Sequence, residues 1–148
     1  MAASSPGDRI ATQLGRLLQR STRQHLYQRI VDGVEGVDVS LYPVLSGIDR
    51  MGPTTATRLA AVIGVDRSAT TRYVTRLVEA GLVERSVDDS DARGTRLALT
   101  RAGCETVADM RRSLGAIVDE MLSTWPTSDA KVFAAALERF ADELEALR

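Results

Sequence analysis

Apolar residues recur at three- and four-residue spacing along most of the chain, and strict alternation takes over in one region only. Ile10, Leu14, Leu17, Leu18, Leu26 and Ile30 predict one long amphipathic helix over residues 8–31. The run Asp32-Gly33-Val34-Glu35-Gly36 ends it. Ser40 is placed to cap a second helix, with Pro43 in its first turn, Leu41, Val44, Leu45, Ile48 and Met51 on one face, and Gly52-Pro53 as its stop. Thr54 is placed to cap a third, short helix through about Ile63, with Ala56, Leu59, Ala60 and Ile63 inward. Gly64 supplies the turn that follows. Asp66 then caps a fourth helix that runs to about Ala80 and is ended by Gly81.

Two short helices joined by a tight glycine-containing turn predict a helix-turn-helix. Strands over 82–87 and 95–100 flank a polar tip, Asp88 to Gly94, whose Asp, Ser and Gly residues suit a hairpin loop. Thr100 can cap a fifth, long helix with Val107, Met110, Leu114, Ile117, Val118, Met121 and Leu122 on one side, interrupted by Trp125-Pro126. A last helix begins at Thr127 or Ser128 and carries the stripe Val132, Phe133, Leu137, Phe140, Leu144 and Leu147. The fold class expected is mainly α with a small β-wing, a winged helix-turn-helix at 54–100 within a single domain of 148 residues. The helices at 8–31 and 101–148 lie outside that reading unit. Their apolar stripes can be covered by their own domain or by a second subunit, and the second is favoured because symmetric dimers are the commonest way for a small protein to bury such a surface.

A helix followed by a two-stranded ribbon with an arginine at its tip can place one element in a major groove and the other in an adjacent minor groove. On the fourth helix Thr70, Tyr73, Val74 and Leu77 repeat inward, which leaves Arg67, Ser68, Thr71, Arg72 and Thr75 outward, with Arg76 adding a further cation. Arginine binds guanine bidentately in the major groove, and Ser or Thr hydroxyls reach bases or phosphates. A merely solvated helix face is the plainer alternative. Thr54, Thr55 and Thr57 open the third helix, where free backbone N–H groups can hold a phosphate or where the hydroxyls simply cap. Arg93 is the cation of the hairpin tip, bordered by Asp88, Asp89 and Asp91, and we expect Arg93 in the minor groove with Asp91 positioning it. An ordinary surface salt bridge is the competing reading.

Composition narrows the alternatives. Apolar residues are 44% and charged residues 26%, outside the disordered class, so the chain is expected to fold. No apolar run approaches the roughly 20 residues that span a bilayer and residues 1–7 carry no signal pattern, which reads as cytoplasmic. The formal net charge of -1 argues against a nucleic-acid partner, but the charge is polarised: arginines cluster at 9–29 and 67–76, and the end of the chain is acidic. One cysteine, Cys104, and one histidine, His25, exclude an intrachain disulfide and cannot by themselves close a zinc site. His25 shares a stripe with Leu14 and Leu18 and reads as an interface or core histidine. Cys104, in the first turns of the fifth helix, reads as a small buried packing residue more readily than as a redox sensor. No paired acid and base, phosphate-cradling glycine loop or ligand cluster suggests an enzyme or a cofactor. A winged-helix module that binds protein in place of DNA is the second reading.

The run Arg58-Leu59-Ala60 to Gly64-Val65, the segment 77–85 (Leu-Val-Glu-Ala-Gly-Leu-Val-Glu-Arg) and above all Asp91-Ala92-Arg93 followed by Leu97-Ala98-Leu99-Thr100-Arg101-Ala102-Gly103 resemble the MarR family of bacterial winged-helix regulators. The last pattern matches that family's Asp-x-Arg wing and Leu-x-Leu-Thr-x-x-Gly segment. The resemblance implies a homodimer built from the first, fifth and sixth helices, bound to a pseudo-palindromic operator in double-stranded DNA. It also implies repression relieved by a small aromatic or phenolic effector held between the dimer helices and the reading head. Leu14, Leu18, His25, Tyr42 and Leu45 are the residues that could line such a cavity, or be close-packed. Family members that sense peroxide carry a thiol near the start of the first helix, and none stands there in this chain.

Overall fold

The computed structural model describes residues 5–89 and 91–147, with the backbone alone at 88 and 91–93. Helix α1 (Pro6–Leu17) opens with a reciprocal cap: Asp8 N–H donates to Ser5 Oγ at 3.1 Å and Ser5 N–H donates to the Asp8 carboxylate at 3.0 Å. The Ser5 hydroxyl, which donates to the same carboxylate at 2.8 Å, and the Ser5 N–H hold the Asp8 carboxyl below its ordinary pKa. The single long helix expected over 8–31 is two. α1 stops at Leu18, Gln19 is extended at ψ 137, and α2 (Arg20–Val31) follows. Seven polar residues in a row, 19–25, leave no apolar side chain to tie that stretch to a core, and α2 becomes buried only at Ile30 and Val31.

Helix α3 (Tyr42–Met51) buries Val44, Leu45, Gly47 and Ile48, as its apolar period predicts, but Ser40 is not its cap. The Asp38 carboxylate takes that role, accepting from the backbone N–H groups of Ser40 at 2.9 Å and Leu41 at 3.2 Å, while the Ser40 hydroxyl donates to it. Thr54 does not start a helix either. It belongs to a two-residue strand, β1 (Thr54–Thr55), and Thr55 caps α4 (Ala56–Ile63). Gly64 then adopts the left-handed conformation, φ 66, that closes the turn into α5 (Arg67–Glu79).

Strands β2 (Val83–Asp88) and β3 (Asp91–Leu99) form the hairpin, and β3 begins four residues earlier than the sequence pattern suggests. β1 adds to its other edge, giving an antiparallel sheet of order β1-β3-β2 with Thr54 opposite Leu97 and Arg85 also opposite Leu97. The core of this unit gathers Leu41, Leu45, Ile48, Leu59, Val74, Leu77, Val83, Leu97 and Met110, each at most 2% exposed. The mainly helical winged-helix architecture is the one expected.

Helix α6 (Arg101–Leu122) starts against the sheet. Thr100 Oγ1 donates to the Gly81 carbonyl at 2.6 Å and accepts from Gly103 N–H at 3.0 Å, the capping role expected of it. Arg111 on α6 is ion-paired with Asp49 on α3. Compactness divides the chain at Ser113: Met1–Ser113 form one unit and Leu114–Arg148 another, which holds the end of α6 and α7 (Thr127–Glu145). In that second unit Trp125 rests on Phe133 with ring centroids 5.5 Å apart, yet α7 has no buried residue. Among the described residues no helix is long and apolar enough to cross a membrane.

Candidate nucleic-acid interface

Helix α5 is fixed at its start by Asp66, whose carboxylate accepts from Ser68 N–H at 2.8 Å and Ala69 N–H at 3.0 Å. Those two donors keep its pKa low. The inward face is settled by burial: Thr70, Val74 and Leu77 are at most 1% exposed, and the Thr70 hydroxyl is satisfied by the Asp66 carbonyl at 2.9 Å. Arg67, Ser68, Thr71 and Arg72 are therefore turned outward, and all four are exposed. Thr71 Oγ1 donates to the Arg67 carbonyl at 2.9 Å, and Thr75 Oγ1 to the Thr71 carbonyl at 3.1 Å. With their protons spent on the helix, these hydroxyls offer lone pairs, the complement of an exocyclic amino group on adenine or cytosine.

Two residues expected on that face are engaged elsewhere. Arg76 turns to the segment ahead of α3, where its Nη2 lies 2.5 Å from Asp38 Oδ2 and its Nη1 donates to Ser40 Oγ at 3.4 Å. Partial burial opposes ionisation of Asp38, but the Ser40 hydroxyl, Arg76 and the Ser40 N–H outweigh it and bring the carboxyl from 3.8 to about 2. Thr75 is half-buried and accepts from Arg85 Nη2 at 2.7 Å.

Arg85, absent from the sequence-based set, is thereby joined to the reading helix. Alternation puts it on the same side of β2 as buried Val83, and its cross-strand neighbour Leu97 is buried on that side too. The parity of the strand is the signal that could have found it.

At the start of α4 the outcome is mixed. Thr55 is half-buried and accepts from Arg58 N–H at 3.3 Å, an ordinary cap. Thr54 is 5% exposed, packed in the sheet, and its hydroxyl finds no partner among the described residues, so it is withdrawn as a phosphate contact. The side chains of Asp91 and Arg93 lie outside the described residues. On the described side of the wing, Arg96 pairs with Asp89 at 3.3 Å.

The five residues expected to line an effector cavity do not share one environment. Leu45 is sealed in the core, Leu18 is 64% exposed, His25 is exposed, and Leu14 and Tyr42 are half-buried. His25, exposed in the polar run that opens α2, is not a core histidine, which leaves the interface role expected of it. Tyr42 packs on Tyr27, ring centroids 4.7 Å apart. Cys104 is exposed and not a buried packing residue: it stands on the flank of the side of α6 that Gly103 and Val107 turn to the sheet and core.

The MarR family model matches residues 39–95, the stretch that carries α3, the helix-turn-helix and most of the wing. A protein of Thauera aromatica assigned to transcriptional regulation of the hcr operon is 30% identical over 107 residues, 71% of this chain. The match spans 64% of that relative's length. Among solved structures, apo MarR of Escherichia coli superposes with a TM-score of 0.74 at 21% identity, over 95% of this chain and 98% of that one. A MarR transcriptional regulator of Methanosarcina mazei gives 0.74 at 19% identity, over 95% and 99%. A serine-for-cysteine variant of E. coli MarR, solved with operator DNA, gives 0.65 at 24% identity, over 93% and 99%. With the helix-turn-helix, the three-stranded wing and the matched segment in agreement, the chain belongs to the MarR family of transcriptional regulators.

Proposed function

We propose that this protein is a homodimeric repressor that reads a pseudo-palindromic site in double-stranded DNA and releases it when a small aromatic compound binds. The outward face of α5 carries the proposal: Arg67, Ser68, Thr71 and Arg72 are exposed together on a helix whose other face is locked into the core, which supplies forked donors and acceptors at major-groove reach. The E. coli relative of the same fold has been solved on operator DNA, which supports the same docking here. The hairpin beside α5 would follow the phosphates toward the minor groove, with Arg93 and Asp91 at its tip. Two such heads related by a dyad would meet half-sites about 34 to 36 Å apart.

Relief by an effector requires that the compound bind the DNA-incompetent state more tightly than the competent one. The half-exposed Tyr27–Tyr42 pair is a described surface on which an aromatic ring finds a stacking partner. Selection of duplexes from a random library by the purified chain, followed by a gel shift of the recovered sequences, tests the reading. Recovery of a palindromic consensus is expected; no enrichment over the input library would refute it.

A further inference from the structure

Three arginines of the reading head, Arg76, Arg96 and Arg85, divide into two kinds by what they face. Arg76 is held by a carboxylate at 2.5 Å, and Arg96 by another at 3.3 Å. Arg85 is exposed, and among the described residues its partner is the neutral Thr75 hydroxyl at 2.7 Å. A guanidinium already neutralised by a carboxylate has little charge left to exchange for the counterions of DNA, whereas one fixed by a hydroxyl keeps its full charge and most of its five N–H donors.

Position sharpens the contrast. Successive residues of a helix stand about 100° apart, so Thr75 and Arg76 lie on opposite flanks of the outward stripe of α5. Asp38 draws Arg76 toward the α3 side, and β2 brings Arg85 to the other flank, in line with Arg67, Thr71 and Thr75 at four-residue spacing. The hydrogen bond to Thr75 reduces the conformational freedom that a long, exposed side chain would lose on binding.

We propose that Arg85 is a phosphate-contacting residue of the reading head, presented by Thr75, and that Arg76 is a strut which ties α5 to the Asp38–Ser40 turn and makes no contact with DNA. This rests on the DNA-binding reading above. Two exposed guanidiniums nine residues apart are thereby given different work: one adds to affinity for any sequence, the other holds the helix at its angle.

The test is the salt dependence of binding by the full-length chain, measured by fluorescence anisotropy on a duplex recovered by wild-type selection from a random library. Each phosphate contact contributes about 0.9 to the slope of log Kd against log salt. Arg85→Gln should lower that slope by about 0.9 per protomer, about 1.8 in a two-fold dimer. Arg85→Lys should keep the wild-type slope, because it keeps the charge. Arg76→Gln should leave the slope unchanged while lowering the thermal unfolding midpoint. Circular dichroism confirms that each variant is folded before it is titrated. An unchanged slope in Arg85→Gln overturns the inference, as does a slope lost in Arg76→Gln, and in either case wild-type binding leaves the parent reading standing. A wild-type chain that retains no duplex removes both.

Discussion

Asp38 does several jobs with one carboxylate: it caps the turn into α3, holds the Ser40 hydroxyl and receives Arg76. Its folded pKa of about 2 lies below the ordinary 3.8, so the unfolded chain binds a proton more readily. The stabilisation is therefore complete above about pH 4 and is lost as pH falls toward 2. The side chains of Arg76 and Asp38 are 48% and 50% exposed, and solvent screening reduces the benefit well below what the shift alone implies. Asp38→Asn should cost about 1 kcal/mol near neutral pH, read from urea midpoints, and the gap to wild type should close on acidification. A gap that persists unchanged to about pH 2 would show that Asp38 is not the titrating group. Thr54 presents the opposite case. Its buried hydroxyl finds no partner among the described residues, so Thr54→Val, which keeps the β-branched shape the strand favours, should raise stability by about 1 kcal/mol at unchanged m-value. A loss of stability would mean that the hydroxyl is satisfied in solution, by water for instance.

At the scale of elements, the join between wing and α6 is the tightest feature of the reading head. Leu82 passes so near Gly103 that an added Cβ would stand 2.0 Å from the Leu82 carbonyl oxygen. Both sides of that contact are backbone, and the same carbonyl accepts from Thr100 N–H at 3.1 Å, so neither can yield without unseating the cap of α6. Gly103→Ala should cost about 3 kcal/mol or more in chemical denaturation; a cost under about 1 kcal/mol would mean the join is pliant. The glycine is visible in the Leu-x-Leu-Thr-x-x-Gly run, but the reason for it is not, because the atom it makes room for lies 21 positions earlier. The same distinction runs through the molecule. Periodicity reported the inward faces of α3 and α5 correctly, since burial repeats along a helix. It overlooked β1, whose two residues are too few to alternate, and it ran α1 into α2 because nothing local breaks the helix at Leu18. Arg76 reads as one more exposed cation until the fold brings Asp38 beside it from 38 positions away.

At the scale of the whole molecule, a described surface without an explanation within one chain is apolar. Helix α7 leaves Phe133 44%, Leu137 51% and Leu144 50% exposed, a recurrence at four and seven residues that follows one helix face, with Val132 69% exposed to one side of it. α1 separately exposes Ile10, Leu17 and Leu18. Isolated exposed leucines are common, but a continuous stripe of this length costs solubility and is normally covered. A two-fold axis would cover it with its own copy and would also hold two reading heads at a fixed separation. The wild-type chain should sediment as a species of twice 16.0 kDa, and Leu137→Arg, which sets a charge in the middle of the stripe and its own copy opposite, should shift it toward 16.0 kDa. The monomeric variant should retain its reading head yet lose most of its affinity for a two-site duplex, because the second head no longer arrives at high effective concentration. A Leu137→Arg protein that remains dimeric by analytical ultracentrifugation would place the subunit contact elsewhere. Full affinity from a proven monomer would break the link between dimerisation and recognition, since a single head makes only half the phosphate contacts that set the salt dependence.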